Sequence, residues 1–332
     1  MRLVIVSDAW RPQVNGVVRT IENVKSGLER RNWVVTMITP DQFKTVPCPT
    51  YPEIRLALLP GRRIKTIIGQ VRPHAIHIST EGPLGIAARR YCIRSQLPYT
   101  TAYHTKFPEY IYARARLPLW LSYAAMRWFH GKSQCVMVST KSIEEELKKR
   151  GFRKICRWSR GVDTQLFRPR GRELASDPRP ISLFVGRIAV EKNIEEFLSL
   201  NIPGTKYVVG DGPLLSELKE KYPEVKFLGM KVGEELATYF SAADVFVFPS
   251  RTDTFGLVIL EALACGVPVA AYPVPGPLDV INGSCAGVLS EDLTSAVGRA
   301  LKIAPEICRE HALKFSWDKS IKQFEDNLAV SQ

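Results

Sequence analysis

Short apolar runs alternate with longer amphipathic stretches along the whole chain. RLVIVSD, residues 2–8, reads as a buried strand, VVRTIENVKSGLERRN as an amphipathic helix, and WVVTMITP as a second strand. The order repeats with the strand PHAIHIST, the helix PLGIAARRYCIRSQ and the strand PYTTAYH. This βαβ rhythm implies a parallel sheet covered by helices on both faces. FRPRGRELASDPRPI, residues 167–181, is rich in Pro, Arg and Asp and reads as a linker. Beyond it the rhythm restarts with SLFVGR, KYVVGDG, VKFLG, DVFVFPS and VPVAAY. The pattern predicts an α/β chain of two doubly wound, Rossmann-like domains facing across a cleft, one over residues 1–168 and one over 169–315. In such sheets ligands bind outside the strand C-termini.

The 332 residues suit two domains of roughly 150 residues each, each able to bury a core. The opening MRLVIVSDAW reads as a strand, so no leader peptide is expected, and no run of about 18 apolar residues predicts a membrane span. The seven Cys are scattered and lack CxxC spacing, so free thiols in a reducing cytoplasm are expected, with no zinc site and no disulfide framework. Charge is divided unevenly. Residues 1–170 carry 30 Lys+Arg against 11 Asp+Glu, a formal +19, while residues 171–332 carry 16 against 22, a formal −6. A basic half points to an anionic partner, either nucleic acid or a membrane surface. No nucleic-acid recognition module is present, which disfavours the first.

The candidate chemistry concentrates in TDTFGLVILEALACGVPV, residues 252–269. A strand, DVFVFPS, leads through a loop into the helix GLVILEALAC. Phe255 and Gly256 then sit at a helix N-terminus, where unpaired N–H groups and the macrodipole attract anions, and Gly256 lets a phosphate approach the backbone. Asp253 precedes the helix, and Glu261 lies on the face of Leu257 one turn on. A pyrophosphate seat flanked by two carboxylates suits a sugar nucleotide; the plainer alternative is that Asp253 or Thr254 caps the helix and Glu261 faces solvent. FVGRIAVEKN places Arg187 and Lys192 after a strand of the same domain, where they would neutralise a diphosphate. VNGVVRT puts Gly16 in the turn after the first strand, although no GxGxxG dinucleotide fingerprint occurs anywhere. His104, in YTTAYHTKFPEYI, ends a strand of the first domain and would face Asp253 across the cleft.

Together Gly16, His104, GRIAVEKN, VVGDGP and the acidic pair Asp253/Glu261 resemble the group-1 (family 4) retaining glycosyltransferases, over about residues 3–325. The resemblance implies the GT-B fold, with FSWDKSIKQFEDNL, residues 315–328, in a C-terminal helix of about residues 316–332 that crosses back onto the first domain. It implies that Arg187 and Lys192 hold the donor diphosphate and stabilise the leaving nucleotide. Glu261 would accept from ribose hydroxyls, and Asp253, where the family has Glu, would bind hydroxyls of the transferred sugar. Backbone N–H groups of Phe255, Gly256 and Leu257 would meet phosphate and sugar, and Thr254 is counted with the donor-binding residues. Gly16 would line the donor site, His104 would position the donor sugar, and the loop near Gly229 would read the base. Catalysis would retain anomeric configuration and need neither metal nor cofactor. Thr254, YHTKFPEYI and WSRGVDTQLF resemble the branch that glycosylates diacylglycerol-type lipids; Arg160 stands there in place of the family's commoner Asn.

That branch gives the basic half a meaning. FPEYIYARARLPLWLSYAAMRWFHGK, residues 107–132, interleaves Arg114, Arg116 and Arg127 with Trp120, Tyr123, Trp128 and Phe129, as in an interfacial helix on an anionic bilayer. Lys106 is taken with this acceptor surface, and Arg62, Arg63 and Lys65 would extend it. The expected enzyme is a cytoplasmic glycosyltransferase, peripheral at the inner face of the membrane. It would move a hexose or hexuronic acid from a nucleotide sugar, UDP-linked first, to a lipid such as diacylglycerol. Alternatives are a lipopolysaccharide, polysaccharide or small soluble acceptor, or a non-catalytic sugar-nucleotide-binding protein.

Overall fold

The computed structural model describes residues 1–13, 15–48, 51–171 and 177–331, with backbone alone for residues 51–53 and 113–115. The chain divides into two compact units, Met1–Arg160 with Trp317–Gln332, and Gly161–Ser316. The division falls at Arg160–Gly161, ahead of the Pro- and Arg-rich stretch, of which residues 172–176 lie outside the described residues.

The first unit contains β1 (Arg2–Val6), α1 (Gly16–Arg30), β2 (Val34–Ile38), β3 (Thr45–Cys48), β4 (Tyr51–Ala57), α2 (Gly61–Val71), β5 (Ala75–Ile78), α3 (Pro83–Arg94), β6 (Thr100–Tyr103), α4 (Phe107–Ala115), α5 (Leu119–His130), β7 (Cys135–Val138), α6 (Lys141–Lys149) and β8 (Ile155–Arg157). Its sheet runs β2-β1-β5-β6-β7-β8, all parallel, and β3 and β4 form a separate antiparallel pair. Both faces of β1 are covered. Leu3 and Ile5 enter one core cluster with α1, and Val4 and Val6 enter another with α2 and α3. That is why the strand reads as an unbroken apolar run. Asn15 caps α1 by accepting from Val17 N and Val18 N at 3.0 Å each, and Val18, Ile21, Val24 and Leu28 form its buried stripe.

The second unit contains β9 (Ile181–Val185), α7 (Ile194–Leu198), β10 (Thr205–Val209), α8 (Leu215–Lys221), β11 (Lys226–Phe227), α9 (Gly233–Ala242), β12 (Val245–Phe248), α10 (Leu257–Ala264), β13 (Val269–Ala271), α11 (Pro277–Ile281), β14 (Gly287–Leu289), α12 (Leu293–Ala300) and α13 (Pro305–Ala312). Its strand order is β11-β10-β9-β12-β13-β14, all parallel. Leu183, Val209, Phe246 and Val269 face one core layer, and Phe184, Val208, Val247 and Ala270 face the other. The chain then returns through α14 (Trp317–Asp326) to the first unit. Ile321 and Phe324 join the β1/α1 core, and Gly27 makes room for them, since a Cβ there would lie 2.1 Å from Ile321 Cδ1. Trp33 Nε1 donates to Glu325 Oε1 at 2.8 Å, and Trp158 Nε1 to Ser320 Oγ at 3.2 Å. Each unit is a doubly wound, Rossmann-like α/β sheet.

Two expectations are corrected. Residues 107–132 are not one helix. Pro118 bars Leu117 from the α region, Arg116 turns left-handed at φ 54°, and the stretch breaks into α4 and α5. Cys135 and Cys156, expected as free thiols, are joined as a disulfide between β7 and β8 with Cα atoms 6.0 Å apart. Their separation of 21 residues spans one whole crossover, so only strand pairing brings them together.

His77 lies wholly inside the first unit, with Nδ1 2.9 Å from Thr100 Oγ1 and its ring edge-on to Trp158 and Phe324. Burial, and then the charge of Arg160, push it down to about 3. The unfolded chain therefore binds a proton that the folded chain refuses between pH 6.5 and 3, so stability is full above 6.5 and falls as pH drops. Acidification from pH 6.5 to 5 is expected to cost about 2 kcal/mol through this residue. His77→Gln should flatten the pH dependence of the denaturant midpoint by that amount; an unchanged slope would show that His77 titrates normally.

Candidate active site

The strand order of the second sheet reverses between β9 and β12, so the loops leaving these two strands emerge side by side. The β9 loop carries Arg187 and closes in a short 3₁₀ turn, Val190–Lys192, ended by Asn193 at φ 53°. The β12 loop carries Thr252, Asp253, Thr254 and Phe255 into α10. Two hydrogen bonds tie the loops together, Asn193 Nδ2 to Pro249 O at 3.2 Å and Thr252 Oγ1 to Glu191 O at 3.1 Å. Lys192 Nζ then donates to Asp253 Oδ1 at 2.5 Å, the two side chains being 23% and 17% exposed. Oδ2 of Asp253 is buried and accepts no hydrogen bond among the described residues.

Asp253 is thus paired with a cation and does not cap the helix. The residue before α10 is Gly256, at φ 82°, which has no side chain with which to cap it. A Cβ at Gly256 would come within 2.9 Å of Ile259 Cδ1 and 3.0 Å of Phe248 Cζ. Behind the loop, a Cβ at Gly276 would stand 3.1 Å from the carbonyls of Asp253 and Phe255. Glu261 is not exposed. It lies at 6% accessibility among Ile259, Leu260 and Ala262 on a helix apolar nearly all round. Thr254 and Phe255 are also buried, the Phe255 ring inside the β9/β12 core, while Arg187 and Leu257 are half-buried. Gly229 follows β11 at φ 72° and accepts from Gly210 N at 2.9 Å.

In the first unit Gly16 opens α1 and is exposed; the neighbouring N–H groups of Val17 and Val18 are taken by Asn15. His104 follows β6, half-buried, its ring 5.6 Å from that of Trp158 and at 73° to it. Arg160, two residues beyond Trp158, lies over the indole at 4.0 Å. Its Nη1 donates to the carbonyls of Trp158 and Ser159, and its Nη2 to His104 Nδ1 at 3.3 Å. Burial, and after it the Arg160 charge, hold His104 well below the usual imidazole range. The His104–Arg160 contact joins residues 56 apart in sequence, and single-chain spacing gave no sign of it. Also missed were Glu81 and His130, paired at 3.2 Å, and Asp8. Asp8 accepts from Leu84 N at 2.8 Å and Gly85 N at 3.2 Å, and so caps the start of α3; burial raises its pKa.

The residues assigned to an acceptor surface divide. Lys106 is buried, its ammonium 2.6 Å from Glu146, so it offers no charge to a surface. Trp128 is half-exposed but has Arg89 over its ring at 4.1 Å; that guanidinium also binds the carbonyls of Phe129 and Trp128. Trp120 is 70% exposed beside exposed Leu121, and Arg116 and Arg127 are exposed. The side chain of Arg114 lies outside the described residues. Arg62, Arg63 and Lys65 are exposed on α2, directly after exposed Leu58 and Leu59. No described helix is long and apolar enough to cross a membrane.

The Lys192–Asp253 pair is partly buried, so its members should be energetically coupled. A cycle of Lys192→Met, Asp253→Asn and the double variant is expected to give a coupling of about 1–2 kcal/mol in denaturant unfolding. A coupling near zero would mean that the pair does not form in solution.

Residues 14–166 match the family model "Glycosyltransferase Family 4", and residues 179–303 match "Glycosyl transferases group 1". The chain is similar to a GDP-mannose-dependent alpha-mannosyltransferase of Mycobacterium tuberculosis, 30% identical over 317 residues, 87% of this chain and 83% of the relative. It is similar to an alpha-monoglucosyldiacylglycerol synthase of Streptococcus pneumoniae, 27% identical over 94% of this chain and 81% of that one. Among solved structures, sucrose-phosphate synthase from Thermosynechococcus elongatus shares the fold at TM-score 0.80 and 23% identity, over 98% of this chain and 97% of the other. With both units matched in order and the β9 and β12 loops carrying the motif residues, the chain belongs to the group-1, family 4 glycosyltransferases.

Proposed function

We propose that the chain transfers a hexose or hexuronic acid, with retention and without a bound metal, from a nucleotide sugar to a lipid hydroxyl of the diacylglycerol type. It would act as a peripheral enzyme on the cytoplasmic face of an anionic membrane. The observation that carries the donor half is the Lys192–Asp253 pair at the start of α10, whose N-cap residue is Gly256. Asp253 holds the Lys192 ammonium beside the helix start, where Lys192 and Arg187 would together meet the charge of an arriving diphosphate. That electrostatic stabilisation grows as the sugar–phosphate bond breaks and negative charge collects on the leaving diphosphate. Asp253 has its second oxygen available to a sugar hydroxyl, and Glu261, one turn into α10, accepts from the ribose in this reading. His104, held neutral, positions the sugar.

The acceptor half rests on the first unit. Its excess of basic residues, with exposed Trp120, Leu121, Leu58 and Leu59 beside Arg116, Arg127, Arg62 and Arg63, suits an anionic bilayer. The diacylglycerol synthase named among the relatives supports that acceptor. The donor is taken as UDP-linked. A second reading changes the base to guanine and the sugar to mannose, and is favoured by the mycobacterial relative.

Turnover of UDP- and GDP-hexoses should appear only with anionic vesicles containing diacylglycerol and should yield a chloroform-soluble product. Equal turnover with soluble acceptors would remove the membrane from the reading. Lys192→Ala is expected to lower kcat about a hundredfold or more, and Glu261→Ala to weaken nucleotide binding; unchanged binding would reject the ribose assignment. Trp120→Ser with Leu121→Ser should reduce vesicle sedimentation several-fold, whereas Lys106→Met should lower the melting temperature and leave sedimentation as it was. The reverse pattern would restore Lys106 to the surface and remove the α5 tryptophan from it.

A further inference from the structure

Arg160 is an unusual guanidinium. It is 4% exposed, stacked on the Trp158 indole, and has no carboxylate among its hydrogen-bond partners within the described residues. Two backbone carbonyls and one imidazole nitrogen are the groups to which it donates, and burial brings it down to about 9. Keeping a cation so far from water is costly unless its geometry serves some group. Each contact restrains it: the stack fixes the plane of the fork, the carbonyls of Trp158 and Ser159 fix its rotation, and the second terminal nitrogen, Nη2, is presented to His104 at 3.3 Å.

We propose that Arg160 is a positioning residue that locks His104 in one neutral tautomer. A guanidinium nitrogen can only donate. Nδ1 of His104 must therefore carry the lone pair, and the ring proton must sit on Nε2. An imidazolium would present Nδ1–H to a guanidinium, a donor facing a donor and a cation facing a cation, so the same contact excludes the charged form. The groups around His104 reinforce this. The Trp158 indole packs edge-on against the His104 ring, so burial works in the same direction, and Glu81 is engaged with His130 at 3.2 Å. The consequence rests on the proposed function: His104 meets the donor sugar as an Nε2–H donor at every pH at which the enzyme works, and never as an acid.

The inference is tested first without any donor. Long-range ¹H–¹⁵N spectra of the histidine-labelled full chain resolve the tautomer of each of its five His, and His104→Gln assigns the signal of interest. His104 is expected as the neutral Nε2–H form at pH 6.5, where an ordinary imidazole is half-charged. In Arg160→Met its titration midpoint should move up and the Nδ1–H form should appear. Arg160→Lys, which keeps a cation and a donor, should hold the midpoint lower than Met does. An Nδ1–H or charged His104 in the parent protein overturns the proposal, as does a spectrum unmoved by Arg160→Met in a variant that still melts cooperatively. The second readout is transfer from UDP-glucose and GDP-mannose. Arg160→Met should lower kcat about tenfold, more at pH 6 than at pH 8, with the donor KM little changed. Should His104→Ala transfer as well as the parent while the tautomer is as stated, the sugar-positioning role of His104 fails and the Arg160 assignment stands.

Discussion

A parallel strand can be followed in its own sheet only through a crossover, and this constraint organises both units. Every strand of the two six-stranded sheets runs the same way as its neighbours, so all strand C-termini of a sheet open on one edge. Where the strand order reverses, at β1/β5 and at β9/β12, the loops that leave neighbouring strands emerge side by side. The residues with chemistry gather there. Asp8 and Glu81 follow β1 and β5, and His104 follows β6; Arg187 and Lys192 follow β9, and Asp253 follows β12. The fold decides where reactive groups can stand before any of them is chosen.

Burial then decides which charges remain available. Lys106, Asp8 and Arg160 are almost wholly buried, and each is met by a specific partner: a carboxylate, two helix N–H groups, or an indole face with carbonyls and an imidazole. The Lys192–Asp253 pair differs in being partly open and in leaving a carboxylate oxygen without a hydrogen bond among the described residues. A buried pair with every valence filled is structural. A half-filled one at a glycine-led helix start is where a ligand can complete the set.

The basic excess of the first unit shows the same selection. It is spread over exposed residues such as Arg62, Arg63, Arg116 and Arg127, whereas Lys106 and Arg89 are spent internally on Glu146 and on the end of α5. Counting charges along the chain found the asymmetry but could not tell which charges reach solvent. That depends on which side chains the crossovers bring opposite one another.

The sequence by itself determined the alternation of strands and helices, since strands buried on both faces must be continuously apolar and the covering helices must be striped. It also determined the motif at residues 252–261, because a glycine, an apolar helix and two carboxylates at that spacing form a local unit. It carried the break at Arg116–Pro118 as well, legible from proline sterics although the aromatic–basic composition hid it. Tertiary structure alone decided the contacts between distant segments. These include the Lys192–Asp253 pair 61 residues apart, the His104–Arg160 contact, the Cys135–Cys156 bond and the burial of Lys106. The reason is physical. Periodicity records which face of an element is buried, a one-body property of each residue, whereas pairing depends on strand order, which is set by how whole layers pack and leaves no mark on either partner's neighbours in the chain.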